Sequence, residues 1–219
     1  MKSKILVIGD SHAGIFSDSE LQAHYQNYEF EVVSIGGATV SGLSNPNSKT
    51  QALPAFNSAI SKSSAYLAIF LIGEVDTGFV IWHHAQKNKI DIYSSLERAL
   101  KNYQTLIIDA SRRLEVLCIS APLPTIKDGQ DLGEIANARK EITASQRERT
   151  SLTIEFNRLM EQFCLRHSIA YINLDEASLG PDGLVSADLL HHDPTDHHYN
   201  PYAYAQLISS RLSLKTRPE

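Results

Sequence analysis

The chain has 219 residues, a hydrophobic fraction of 42% and a formal net charge of −5. That length and apolar content suffice for one sizeable core, so a single domain over residues 1–219 is expected. The acidic balance, with a pI near 6.0, and basic residues scattered without a stripe exclude nucleic acid and anionic membranes as expected partners.

No stretch approaches the ~20 apolar residues that cross a bilayer. Met1-Lys2-Ser3-Lys4 is followed by only four strongly apolar residues, too few for a signal-peptide core. The expected location is the cytoplasm. Cys118, in an apolar strand-like run, and Cys164, on a helical face, read as buried free thiols, which suits a reducing compartment.

In chain order, short apolar runs at 5–8, 30–35, 67–72, 114–119 and 169–174 read as strands. The first and third lack polar alternation, as expected of strands buried on both faces of a parallel sheet. Between them lie helical stretches. One covers about 50–62, a long amphipathic one carries apolar residues at three and four from Leu96 to Ala110, and another does so from Leu152 to Cys164. The last runs from about Tyr202 to Leu212. Such alternation predicts an α/β fold: a three-layer α/β/α sandwich around a mainly parallel five-stranded sheet of flavodoxin-like order. The segment 124–145 breaks the pattern with Pro124, Gly129 and Gly133, then a charged run including Arg139, Lys140, Glu141, Arg147, Glu148 and Arg149. It reads as a surface loop leading into a solvated helix face, with a substrate lid as the sharper alternative.

Four segments fall where an open α/β sheet builds its site. Gly9-Asp10-Ser11 follows the first strand and lifts a hydroxyl out of the sheet, and Gly36-Gly37 follows the second and offers bare backbone N–H groups. Gly73-Glu74-Val75-Asp76 follows the third, and Asp193-Pro194-Thr195-Asp196-His197-His198-Tyr199-Asn200 precedes the final helix. A serine hydroxyl needs a neutral imidazole to take its proton and a carboxylate to fix the imidazole's tautomer, and the last segment supplies both types. Backbone N–H groups of Ser11 and of the Gly36/Gly37 turn are candidate oxyanion donors.

In these four blocks and their order the chain resembles the SGNH or GDSL hydrolases, which act as esterases, lipases and carbohydrate O-acetyl esterases or transferases. The resemblance runs from residue 4 to the C-terminal helix. It implies Ser11 as nucleophile, Gly37 as the oxyanion glycine, and His198, followed by Tyr199-Asn200, as the base. Two departures stand out. Val75 occupies the place of the family's oxyanion Asn, and loss of such a donor costs ~10²–10³ in rate in a comparable hydrolase. Thr195, not Asp, lies three residues before His198, so Asp196 is taken as the orienting acid, with Asp193/His197 as the other pairing. The Gly-Glu-Val-Asp form of the third block is similar to SGNH-like proteins of bacterial surface-polysaccharide loci.

The implied activity is hydrolysis or transfer of small acyl groups, O-acetyl esters on carbohydrate included, with no cofactor and no metal. The remaining histidines carry blander readings. His83-His84 is expected as a helical or loop surface pair, and His191-His192 as structural or rim residues. His12 is expected to add polarity, and adjacent histidines seldom point at one ion. Two other functions remain open. A non-catalytic SGNH-fold binding module fits the irregular third and fourth blocks. A metal-dependent phosphoesterase using Asp10, His12 and the late histidines fits Asp10-Ser11-His12, but the chain lacks that family's Gly-Asn-His segment.

Overall fold

The computed structural model describes residues 2–129 and 142–215. Its sheet is built from β1 (Ser3–Gly9), β2 (Tyr28–Ser34), β3 (Leu67–Leu71), β4 (Glu115–Ile119) and β5 (Ala170–Ile172). The order is β2-β1-β3-β4-β5, and every neighbouring pair is parallel. This is the flavodoxin-like order expected, with all strands rather than most of them parallel. β5 is shorter than its apolar run, because Asn173 turns its side chain back to accept the N–H of Asp175.

Strand alternation sorts the core into two layers. Leu6, Ile8, Phe70 and Cys118 face one side, where they pack with α2 (Ala52–Lys62), α4 (Ile92–Ser111) and α5 (Gln146–Arg166). Ile5, Val7, Ile69 and Ile119 face the other, under α1 (Ser19–His24) and α7 (Pro201–Arg211). Burial on both faces explains why β1 and β3 read as uninterrupted apolar runs. Cys118 and Cys164 are buried and free. No helix among the described residues is long and apolar enough to cross a membrane.

The expected charged surface ahead of α5 is only partly so. Residues 130–141, with Gly133, Arg139, Lys140 and Glu141, lie outside the described residues. Arg149, expected on a solvated face, is 4% exposed and donates to the Ile126 carbonyl at 2.7 Å and to Asp128 at 3.3 Å. A guanidinium in a charged run looks solvated to any pattern argument; here the returning chain 124–128 folds over it.

α5 also carries Asn157, whose amide accepts the N–H of Ala121 and donates to that residue's carbonyl and to Asp175 at 2.7 Å. Asp175 opens α6 (Asp175–Ser178), and burial pushes its carboxyl up to about 7. Since the folded value lies above the ordinary carboxylate value of ~3.9, its contribution to stability is complete below about pH 4 and is lost as pH rises through 7. Wild type should therefore lose more stability than Asp175→Asn between pH 5 and pH 8, as read by urea unfolding. Equal losses would contradict this.

Candidate active site

The sheet order reverses between β1 and β3, and the chain segments leaving these two strands flank the crevice that such a reversal opens. Gly9 ends β1 so close to β3 that a Cβ there would lie 1.9 Å from the Leu71 carbonyl oxygen. Only glycine fits. At Gly73, just past β3, φ is +132° and a Cβ would press on Phe156 at 2.8 Å. Both glycines of the first and third blocks are thus demanded by packing and backbone geometry.

Asp10 is fully buried behind the crevice. One carboxylate oxygen accepts the N–H of His12 at 3.0 Å and the other that of Gly73 at 3.1 Å. Burial raises its pKa, the neighbouring Glu74 adds to the rise, and His12 and the two N–H donors oppose it. By capping the short 3-10 helix Ser11–Ser17, Asp10 fixes how Ser11 leaves the strand. The second block is held the same way. Asp76, also fully buried, accepts the N–H groups of Val40 at 2.8 Å and Ser41 at 2.9 Å, and Asn102 holds the Val40 carbonyl at 3.0 Å. Burial pushes the Asp76 carboxyl up to about 6. Gly37 lies on the exposed turn between β2 and this anchored pair.

The late loop is tied down on both sides of His198. The Thr125 hydroxyl donates to the His197 carbonyl at 2.6 Å, and the Tyr199 hydroxyl accepts the Leu123 N–H at 2.8 Å. Asn200 then caps α7 by accepting the N–H of Ala203. Asp196 folds back so that one oxygen meets both the N–H of His198 at 2.8 Å and its Nδ1 at 2.7 Å. Burial acts to raise the Asp196 carboxyl, but these two contacts outweigh it and hold the group below its ordinary value. Asp193, the other candidate acid, is exposed and spends Oδ1 on the N–H and hydroxyl of Thr195. The structure therefore pairs Asp196 with His198.

Nε2 of His198 is buried and makes no hydrogen bond. It belongs to a cavity of about 230 Å³ whose lining includes Ser11, His12, His191, Asp196, His198 and Tyr199. Serine, imidazole and carboxylate are thus brought to one pocket. His191, expected at the rim, lines it and lies 3.9 Å from Asp196. A groove of about 1100 Å³ at the opposite end of the strands, lined by residues such as Tyr66, Arg112 and His167, is larger but contains none of the four sequence blocks.

His12 and Glu74 are the residues that sequence reasoning undervalued. Both are 3% exposed, and His12 Nε2 faces Glu74 Oε2 at 3.6 Å. The His12 ring packs against His198 at 4.8 Å between centroids and against His197 at 6.0 Å. His197 and His198, although adjacent, bring their rings to 4.2 Å between centroids, tilted by 35°. The Asp196 turn bends the chain there, so the rule that neighbours diverge does not hold. The available signal was an acidic residue, Glu74, in the third block together with a histidine directly after the nucleophile. His83 and His84 lie on α3 (Ile81–Asn88), where His84 meets Ser95 at 3.0 Å, away from this cluster.

Val75 directly precedes the helical turn Asp76–Val80 that runs into α3, and the amides of Asn102 and Asn157 donate to the Val40 and Ala121 carbonyls. Asp76→Ala would strip the acceptor from two backbone N–H groups, at a cost of about 2–4 kcal/mol. A urea unfolding midpoint at pH 7 should fall accordingly, and an unchanged midpoint would refute the anchoring role.

No protein-family model and no curated protein matches this chain. Solved structures do. An acetyl xylan esterase aligns with a TM-score of 0.61 at 15% identity, covering 94% of this chain and 98% of that one. A GDSL-like lipase from Bacteroides thetaiotaomicron aligns at 0.63 and 13% identity, covering 95% and 85%. A carbohydrate acetylesterase from Sinorhizobium meliloti aligns at 0.55 and 11% identity, covering 95% and 99%. At these identities the likeness establishes the fold, which is that of the SGNH/GDSL hydrolases.

Proposed function

We propose that this chain, built on the SGNH-hydrolase fold, is a serine esterase or acyltransferase. Ser11 is the nucleophile, His198 the general base and then acid, and Asp196 the group that holds the imidazole's tautomer. The observation that carries the reading is the Asp196–His198 contact at 2.7 Å, with Nε2 left for the cavity that Ser11 lines. Through Nε2, His198 takes the Ser11 proton as Oγ attacks the ester carbonyl, then returns it to the leaving alcohol. Water or an acceptor hydroxyl discharges the acyl-enzyme by the reverse sequence. The N–H groups of Ser11 and Gly37 stabilise the oxyanion.

A cavity of about 230 Å³ favours a small acyl group, and the esterases among the structural neighbours support O-acetyl esters on carbohydrate as the substrate class. No cofactor enters this chemistry. The metal-dependent phosphoesterase reading is weakened by Asp10, whose two oxygens are both committed to backbone N–H groups. The binding-module reading draws on Val75, which leaves the oxyanion site one side-chain donor short of the family pattern.

A fluorophosphonate probe should label wild type and not Ser11→Ala. Turnover of p-nitrophenyl acetate should fall at least about 10³-fold in Ser11→Ala and His198→Asn. Asp196→Asn should lower kcat by up to about 10⁴-fold with a smaller change in KM, because the wrong tautomer then faces Ser11. Wild type that neither labels nor turns over the ester would sink the hydrolase reading in favour of the binding module.

A further inference from the structure

The first block, the third block and the late loop converge on imidazoles, and one serine needs only one. Ring nitrogens of His12, His197 and His198 lie within 4.8 Å of one another. We infer that these three histidines form a binding site for a borderline divalent ion such as Zn²⁺, whose occupancy withdraws His198 from acid–base work. The inhibitory half of this inference rests on the proposed serine mechanism; the binding half does not.

Three features carry it. First, the donor set is three imidazoles, which suits Zn²⁺, Cu²⁺ or Ni²⁺ rather than Mg²⁺ or Ca²⁺. Second, carboxyl groups stand beside two of the rings: Asp196 hydrogen-bonds His198 Nδ1 at 2.7 Å, and Glu74 lies at ion-pair distance, 3.6 Å, from His12 Nε2. Metal-bound histidines almost always have such a partner, which fixes the tautomer and raises the basicity of the ligating nitrogen. Third, His198 Nε2 is buried without a hydrogen bond, and two acidic side chains, Asp10 and Glu74, are buried beside the cluster. A dication relieves both conditions.

The geometry requires a small closure. With Zn–N bonds of about 2.0–2.1 Å, ligands on a tetrahedral ion stand about 3.4 Å apart. From a 4.8 Å maximum, the ring nitrogens must draw in by roughly an ångström or more, which side-chain rotation of the half-buried His197 and His198 supplies. His12, buried and oriented by Glu74, is the fixed member.

The test uses the full chain, stripped with EDTA and titrated with Zn²⁺ against a chromophoric chelator. Wild type and Ser11→Ala should each bind one ion, and Co²⁺ should give the visible absorption of a tetrahedral nitrogen site. His197→Asn and His12→Asn should weaken Zn²⁺ binding at least about 10-fold. His197 is partly exposed, so its variant remains informative if His12→Asn fails to fold. Absence of stoichiometric binding, or wild-type affinity in His197→Asn, overturns the site. In the hydrolysis assay Zn²⁺ should inhibit wild type and EDTA should reverse it; stimulation by Zn²⁺ overturns the inhibitory role. A protein that binds Zn²⁺ but hydrolyses no ester would refute the serine mechanism and leave the metal site standing.

Discussion

The carboxylate of Asp10 is the constraint from which the rest of the crevice follows. Buried beside the His12 side chain, it is held by the N–H of His12 on one side and that of Gly73 on the other. Leaving either oxygen without its donor in this interior would cost kilocalories, so the loops after β1 and β3 are locked to each other. The Asp10 carbonyl also accepts the Ser34 hydroxyl at the end of β2. Three strand ends are therefore gathered around one residue, at the point where the sheet order reverses. Ser11 is presented to the pocket because its predecessor is engaged in this way.

Asp76 repeats the device one step outward. Its two oxygens organise Val40 and Ser41, and through them the turn that carries Gly37. Burial raises both aspartates in pKa, and each spends both oxygens on backbone N–H groups. They serve as acceptors for backbone that would otherwise be unsatisfied. Asp196 differs: partly exposed and lowered in pKa by the contacts of His198, it is the one carboxylate of the three suited to orient an imidazole.

The fold was legible because its signals are local and periodic. Apolar runs gave β1 to β4 within a residue or two, and the three-four spacing from Leu96 to Ala110 gave α4. β5 was legible too, within two residues, whereas the burial of Arg149 was not, since it depends on a chain segment returning from elsewhere. In the site, the order of the four blocks brought Ser11, Asp196 and His198 to notice, but spacing alone left Asp193/His197 open as a pairing. The choice is made by the turn of Asp196 onto the N–H of His198, which no spacing rule encodes. The juxtaposition of His12, His197 and His198 was equally invisible. It joins positions some 185 residues apart, and it needs two neighbours to converge rather than diverge.

Glu74 gives the last step. An ionised carboxylate near a developing oxyanion would oppose catalysis, and its place in the third block looks at first like damage. In the structure it is turned toward His12, 3.6 Å from Nε2, behind the imidazole cluster. Its carboxyl there faces the histidines: it suits coordination of a cation by the His12 ring, just as Asp196 does for His198. The irregular third block and the extra histidine after the nucleophile are then one feature, a second carboxylate–imidazole pair set against the first. A general base and a metal ligand ask the same of an imidazole, a basic nitrogen in a fixed tautomer facing a cavity. What distinguishes the two uses here is whether one ring acts alone on Ser11 or three close on an ion.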